Sequence, residues 1–359
     1  MASPQRIKTD LTELFGINHP IMLAGMNVAA GPELAAAVTN AGGIGVIGGV
    51  GYTPKFLKEQ IDELKAGLKD KNGAFGVDLL LPQVGGNARK TNYDYTGGHL
   101  MELVDIIIAS KAKLFVAAVG VPPKEVVQKF HKSGVIVSNI IGHPKHAAKA
   151  IEAGCDMIIV QGGEAGGHTG DVPFSIIVPR VVDIVRRGGH KSPLTGKPIT
   201  IVAAGGVWNG RSLAAALSYG ASGVWVGTRF VASTESGAPR GHKQAVLTST
   251  HETDIRTIIF SGRPLRMRNT PYIQAWEDRP DEIKRLTSQG IIPAVHDLEN
   301  DKDGSVEEQT RERYLMGKVA AVIEDIKPAK EIIDDFISEA EHAIRASQSL
   351  LVAGPHAKL

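Results

Sequence analysis

An α/β fold, a (β/α)8 barrel with helical additions at its C-terminal side, is what this sequence predicts, on three observations. Eight short apolar runs alternate with helical patterns between Pro20 and Gly227. Each run is apolar throughout rather than at alternate positions, as a parallel strand covered on both faces requires. Three segments, 35–49, 147–163 and 213–228, repeat one order of helix, glycine, short turn, apolar strand and glycine. Eight such units in a chain of 359 residues point to one closed barrel. A doubly wound open sheet is the alternative.

The strands are expected at 21–24, 44–47, 75–80, 114–119, 135–139, 157–161, 201–204 and 224–227. Pro32 and Pro144 stand where a first helical residue would be, Gly42 and Gly154 stop those helices, and Asn209 caps the helix that ends at Gly220. Beyond Thr228 the pattern changes. Segment 261–276 is basic and irregular, with Arg263, Arg266 and Arg268, and polar and then helical stretches run to about Gln348. The whole chain, 1–359, reads as a single domain, with the barrel over about 20–260 and 261–359 as cap and C-terminal helices.

Composition narrows the function classes. A net charge of +2 gives no reason to expect nucleic acid or an acidic membrane surface as partner. No apolar run reaches membrane-spanning length, and the first ten residues lack the apolar core of a signal peptide. Cys155 is the single cysteine, so no intrachain disulfide and no cysteine-rich metal site is expected; it enters the sixth strand at the end away from barrel chemistry and reads as buried and inert. No metal site is expected elsewhere. There are 41 glycines, well above the roughly 7% average, and they fall at strand ends and just after helices.

Not every glycine motif is a nucleotide fingerprint. Residues 43–48 match G-x-G-x-x-G, but a dinucleotide loop must follow a strand and open a helix; here the motif follows a helix and is itself the strand. The run from Gln161 to Gly170 is the more informative one. It leaves the sixth strand on the face where barrel enzymes place their chemistry, and its glycines at 162, 163, 166, 167 and 170 let backbone approach a flat or charged ligand. His168, embedded there, suits acid, base or donor work near neutral pH; the alternative is a turn whose histidine merely bonds a carbonyl. After the seventh and eighth strands, Gly205-Gly206 and Val226-Gly227-Thr228 lie where barrels commonly hold a phosphate on backbone N–H groups and a helix N-terminus. Ala24-Gly25-Met26, after the first strand, could meet a planar ring or be a simple turn. Asp78 opens a polar, basic loop to Asn92 that could meet an anionic substrate or be a solvated rim; the carboxyl itself could bond a ligand or cap the turn.

These residues resemble the nitronate monooxygenase family. The resemblance covers 11 to about 276 and rests on residues 20–26, 40–43, 161–170, 203–206, 227–230 and 262–269, with Glu164-Ala165-Gly166-Gly167-His168 its most specific run. It implies an FMN-dependent oxidoreductase that takes an alkyl nitronate and O2 to a carbonyl compound and nitrite, with His168 as the catalytic histidine. By the same resemblance, Gln161 and Gly166, with Gly167 beside them, would meet the flavin. Gly205, Gly206 and the turn of Val226, Gly227 and Thr228 would hold its phosphate, and Ala24, Gly25 and Met26 would lie by the ring. Many relatives carry Asn where this chain has Asp78, and an ionised carboxylate cannot donate a hydrogen bond. Some relatives are NAD(P)H-dependent FMN reductases of quinones or enoyl thioesters, so that activity is the alternative. A flavin-binding barrel without turnover, and a barrel for a phosphorylated sugar or nucleotide, are further ones. The expected partners are a small-molecule nitronate and O2, without nucleic acid or membrane; a homo-oligomer is left open. The last residues, Ala357-Lys358-Leu359, resemble the peroxisomal tripeptide S-K-L, so the location expected is cytoplasmic, or peroxisomal in a eukaryote.

Overall fold

The structure, a computed structural model, describes residues 2–311 and 313–352, so the terminal tripeptide lies outside the described residues. The eight expected runs form eight parallel strands: Ile21–Leu23, Gly45–Gly49, Phe75–Leu80, Leu114–Ala118, Ile136–Ile141, Met157–Gln161, Thr200–Ala204 and Gly223–Val226. Each pairs with its neighbours in chain order, and the eighth pairs with the first. Ile44, expected to open the second strand, instead makes the parallel bridge to Met22 that closes the ring. The sheet is therefore a TIM barrel, not the doubly wound alternative.

Two apolar layers explain why the strands read as apolar throughout. Met22, Ile44, Val46, Val116, Met157, Ile159 and Val202 fill the barrel interior. Ile21, Leu23, Ile47, Val77, Phe115, Val137 and Val160 face the surrounding helices. The short helix Asp10–Phe15 closes the lower end by adding Leu11 to the interior cluster.

The glycines of segment 43–48 serve this packing. A Cβ on Gly43 would lie 2.6 Å from the Ile21 carbonyl, on Gly45 2.0 Å from the Ala35 carbonyl and on Gly48 1.9 Å from the Asp78 carbonyl. Backbone approaches backbone there, and no ligand is involved. Cys155 is fully buried, and burial pushes its thiol up to about 12.

Helices follow the strands in turn, and the caps expected from sequence are present. Pro32 begins Pro32–Asn40, Gly154 ends Ala147–Ala153 in the left-handed region, and Asn209 forms a capping box with Ser212 at the start of Gly210–Ser218. Pro144 opens a 3-10 turn ahead of the helix rather than the helix itself. After the eighth strand only the four-residue helix Thr228–Val231 follows directly. The outer ring is completed from the far end of the chain: Ala329–Gln348 packs against Gly210–Ser218 and Pro32–Asn40, the helices after the seventh and first strands. Its Ile332, Ile333, Phe336 and Ile337 join the barrel's outer core. The C-terminal segment expected to be cap and added helices therefore supplies one helix of the barrel itself. The cap lies between, and has its own core around Ile259, Met267, Tyr272 and Trp276.

Gly45→Ala drives a methyl group into the Ala35 carbonyl, and overpacking of this kind costs about 2 kcal/mol or more. Chemical denaturation of the variant is expected to register at least that loss.

Candidate active site

At the upper end of the barrel, the Gln161–Gly170 run is held from above by a ribbon the sequence did not announce. Strands Asp254–Thr257 and Leu265–Arg268 pair antiparallel, and Leu265-Arg266 pairs antiparallel with Gly167-His168. Arg266 is buried, ion-paired with the buried Asp254, and donates to the Gly163 carbonyl at 3.1 Å. Arg256 donates to the Gly170 carbonyl at 2.7 Å. Gln161 Nε2 donates to the His168 carbonyl at 3.0 Å. Glu164 accepts from the Phe174 amide at 3.0 Å and so caps helix Phe174–Arg187. The most specific part of the motif thus holds its own loop as well as facing the pocket.

His168 Nε2 lies 3.0 Å from Ser261 Oγ, and that hydroxyl donates to the Arg263 carbonyl at 3.4 Å. In the tautomer this chain of bonds selects, Nε2 donates and Nδ1 keeps its lone pair. Burial, with Arg263 adding to it, pushes the ring down to about 4. The imidazole is therefore neutral at physiological pH and available as a base.

His168 borders a cavity of about 650 Å³ over the strand ends. The cavity brings together Ala24, Gly25, Met26, Asp78, Gln161, Gly166, Gly167, Gly205, Gly206, Gly227 and Thr228. Val226 is the exception: it is fully buried in the outer core, and its carbonyl accepts from the Ala24 amide at 2.9 Å. A strand residue one position before the turn points its side chain into the opposite layer.

Asp78 lies within its strand, 3% exposed, with Oδ1 lacking a hydrogen-bond partner among the described residues. A Cβ on Gly25 would lie 2.6 Å from its Oδ2, so the carboxyl fills the space that glycine leaves. Burial pushes Asp78 up to about 8. Near neutral pH it is mainly the protonated acid, which donates a hydrogen bond as an asparagine would.

The glycines of the two last turns differ in purpose. A Cβ on Gly205 would lie 2.6 Å from the Gly162 carbonyl, so this glycine admits the His168 loop. Gly206, at φ +81, has only ordinary contacts around it and faces the cavity. The amides of Gly206, Val207, Gly227 and Thr228 have no acceptor among the described residues. The helix after Gly206 offers no free end: Asn209 caps it, and Glu339 of the closing helix accepts from the Gly210 amide at 3.1 Å.

The fold, the histidine and the glycine cavity now stand beside known proteins. A family model described as nitronate monooxygenase matches residues 8–339. The chain belongs to the nitronate monooxygenase family. It is accordingly an oxidoreductase, which sets aside the reading of a barrel without turnover. It is 28% identical to a probable nitronate monooxygenase of Staphylococcus saprophyticus, over 77% of this chain and 83% of that one. It is 32% identical to the (3aS,4S,5R,7aS)-5-hydroxy-7a-methyl-1-oxo-octahydro-1H-indene-4-carboxyl-CoA dehydrogenase of Rhodococcus jostii, over 96% of this chain and 99% of that one. Among solved structures it resembles FabK from Thermotoga maritima, at a TM-score of 0.76 and 28% identity, over 96% of this chain and all of the other.

In this family member several cavity residues lay outside the sequence reading. Ser261 falls in the segment noted only as basic and irregular. Tyr93 and Tyr95, their rings 4.2 Å apart, arrive from the loop beyond Asp78. Arg313 stacks over Phe260 at 5.0 Å, and Gly317 follows on the same segment. Gly317 donates to Thr228 Oγ1 at 2.9 Å, and a Cβ on Gly166 would lie 2.6 Å from the Gly317 amide. No periodicity marks segment 313–319, because it is placed by the cap rather than by a barrel unit. All three arginines near 263–268 donate to backbone carbonyls, Arg266 to Gly163, Arg268 to Thr248 and Arg263 to Val119, and Arg263 also lines a neighbouring cleft. Among the described residues, no helix is long and apolar enough to cross a membrane.

Asp78 carries a stability signature. Its folded value lies above the unfolded one, so the native state holds a proton that the unfolded chain releases, and stability is lost as pH rises from about 4 through about 8. Asp78→Asn removes that loss. Its gain in stability over the parent is expected to widen from pH 5 to pH 8, by up to about 1.4 kcal/mol per unit, in denaturation curves taken at both values.

Proposed function

We propose that this pocket holds FMN and that the enzyme oxidises alkyl nitronates with O2 to a carbonyl compound and nitrite. The observation that carries the reading is His168: a half-buried, neutral imidazole on an anchored loop, facing a cavity floored by glycines. The cavity suits a flat, phosphorylated cofactor. The unpaired amides at Gly206, Val207, Gly227 and Thr228 converge after the seventh and eighth strands, where a phosphate would be held. Asp78, buried and lacking a partner at Oδ1, would serve the ring system from below, with Ala24, Gly25, Met26, Gln161, Gly166 and Gly167 around it.

Bound FMN supplies the two-electron acceptor whose reoxidation by O2 completes the conversion. The protein's own part is proton transfer and placement. His168 Nδ1 takes the proton from the carbon next to a nitro group, while Ser261 fixes the ring through Nε2. The imidazolium so formed lies near Arg263, which favours rapid release of the proton. Arg313, over the Phe260 ring, offers a cation to the nitronate oxygens.

A second reading is an NAD(P)H-dependent reductase acting on a thioester. The Rhodococcus dehydrogenase favours it, since that protein is matched over nearly its whole length and its name specifies a CoA thioester. Anaerobic mixing separates the two. Flavin absorbance that changes with a nitronate and not with NADH supports the first; bleaching by NADH alone moves the protein to the second.

His168→Asn tests the base. The variant is expected to keep the flavin spectrum and lose about 100-fold or more in kcat/KM for a neutral nitroalkane, with a much smaller loss for the preformed nitronate, which has already given up its proton. Equal losses on both substrates would remove the base assignment. In the parent, the acid limb of kcat/KM for the nitroalkane is expected near pH 4, because His168 stays neutral until then.

A further inference from the structure

The cavity at His168 shares a wall with the neighbouring cleft, a space of about 930 Å³. Val119 and Ile140 line both, so the two spaces adjoin across these residues. Ile140 is held within strand Ile136–Ile141. Val119 lies just past the end of strand Leu114–Ala118, at φ +67. The Gly120 amide donates across it to the Ala118 carbonyl at 2.8 Å and closes a three-residue turn. A turn of this hand is rare and strained, and a β-branched residue is an outlier in it.

The turn cannot relax, because its neighbours fix it from several sides. Asn139, 1% exposed, donates to the Ala117 carbonyl at 2.8 Å and to the Gly120 carbonyl at 2.6 Å. The Ala118 carbonyl also accepts from the Leu81 amide at 2.9 Å. A Cβ on Gly120 would lie 1.9 Å from the Leu81 carbonyl, so the backbone is pressed against the loop after the third strand. Glycine would adopt φ +67 without strain. The chain places glycine next door, at Gly120, and carries valine at the position where glycine would be at ease. Core packing does not account for this, since Val119 is only half-buried. Strain kept at a cavity wall points to a use for the side chain.

The two spaces it separates are unlike. The reaction cavity holds the neutral His168 imidazole, whereas Arg89, Arg263 and Lys149 border the cleft and do not line the cavity. The cleft is also lined by apolar Leu81, Pro122, Ile141 and Ala153. With the wall removed, a small anion would be drawn away from His168 toward these cations, and a long alkyl chain would find apolar surface beyond. We propose that Val119 is a specificity-determining residue: its side chain closes the reaction cavity against the cleft, keeps a short nitronate beside His168 and excludes longer chains. Asn139 is the positioning residue that holds the turn in place. The inference rests on the His168 pocket being the place of nitronate oxidation.

Val119→Gly and Val119→Ala test it in the holoenzyme. The parent is expected to favour the nitronate of nitroethane over that of 1-nitrooctane. In Val119→Gly the ratio of kcat/KM, long over short, is expected to rise at least about tenfold, the worth of two methylene groups newly taken out of water. Calorimetric binding of octanoate and butyrate, unreactive carboxylates, gives a readout without turnover and is expected to shift toward octanoate by a similar factor. Denaturation is expected to rank Val119→Gly above Val119→Ala in stability, because alanine keeps the strain at φ +67 and glycine does not. A parent that takes both chain lengths alike, or ratios unchanged in both variants, overturns the proposal. Val119→Ala more stable than Val119→Gly removes the strain on which it is argued. If the parent oxidises neither nitronate, the reaction assigned above fails, and the carboxylate ratios still decide whether Val119 forms the wall.

Discussion

Everything at the mouth of this barrel depends on one piece of backbone pairing. Gly167 and His168 form a two-residue strand against Leu265 and Arg266. A loop with five glycines in ten residues has little reason to hold one shape, and without this partner His168 would be an exposed side chain with ordinary basicity. The pairing partly buries the ring, brings Ser261 to Nε2 and sets Arg263 nearby. Buried Arg266 secures the ribbon by meeting Asp254 and the Gly163 carbonyl together. Removing one partner of such a pair leaves a buried charge uncompensated, so ribbon and loop stand or fall together.

The barrel was legible because its signals are local. A strand covered on both faces must be apolar throughout, and a helix entering a tight turn needs a cap and a glycine; Met157–Gln161, Asn209 and Gly154 each carry such a mark in their own few residues. The same locality explains the failures. Val226 shares a turn with Gly227 and Thr228, and sequence adjacency suggested a shared role, but alternation along the strand sends its side chain to the other layer. The two-residue strand at Gly167-His168 is too short for any period to be read. Arg313, Gly317 and Ser261 reach the pocket through tertiary placement of the cap, which no spacing in the chain announces.

The site also keeps a carboxyl and an imidazole uncharged by the same means. Asp78 below the cavity and His168 above it are both withdrawn from water, which moves the one up and the other down. Near neutral pH each is held mainly in its uncharged form, the carboxyl able to donate a hydrogen bond and the imidazole able to accept a proton. A protonated Asp78 carboxyl donates a hydrogen bond as a carboxamide does, so the ionised-carboxylate objection raised from the sequence does not apply to the buried group. Formal charge is instead gathered at Arg89, Arg263 and Lys149, on the far side of the Val119 turn.

Because helix Ala329–Gln348 sits between the helices after the seventh and first strands, the cap is an insert within a single strand–helix unit. During synthesis the eight strands and seven of their helices emerge long before the last one, and the apolar seam between Pro32–Asn40 and Gly210–Ser218 stays open until residues 329–348 have followed. Without helix Ala329–Gln348 the barrel would keep all eight strands but expose the apolar flank that Ile332, Ile333, Phe336 and Ile337 cover.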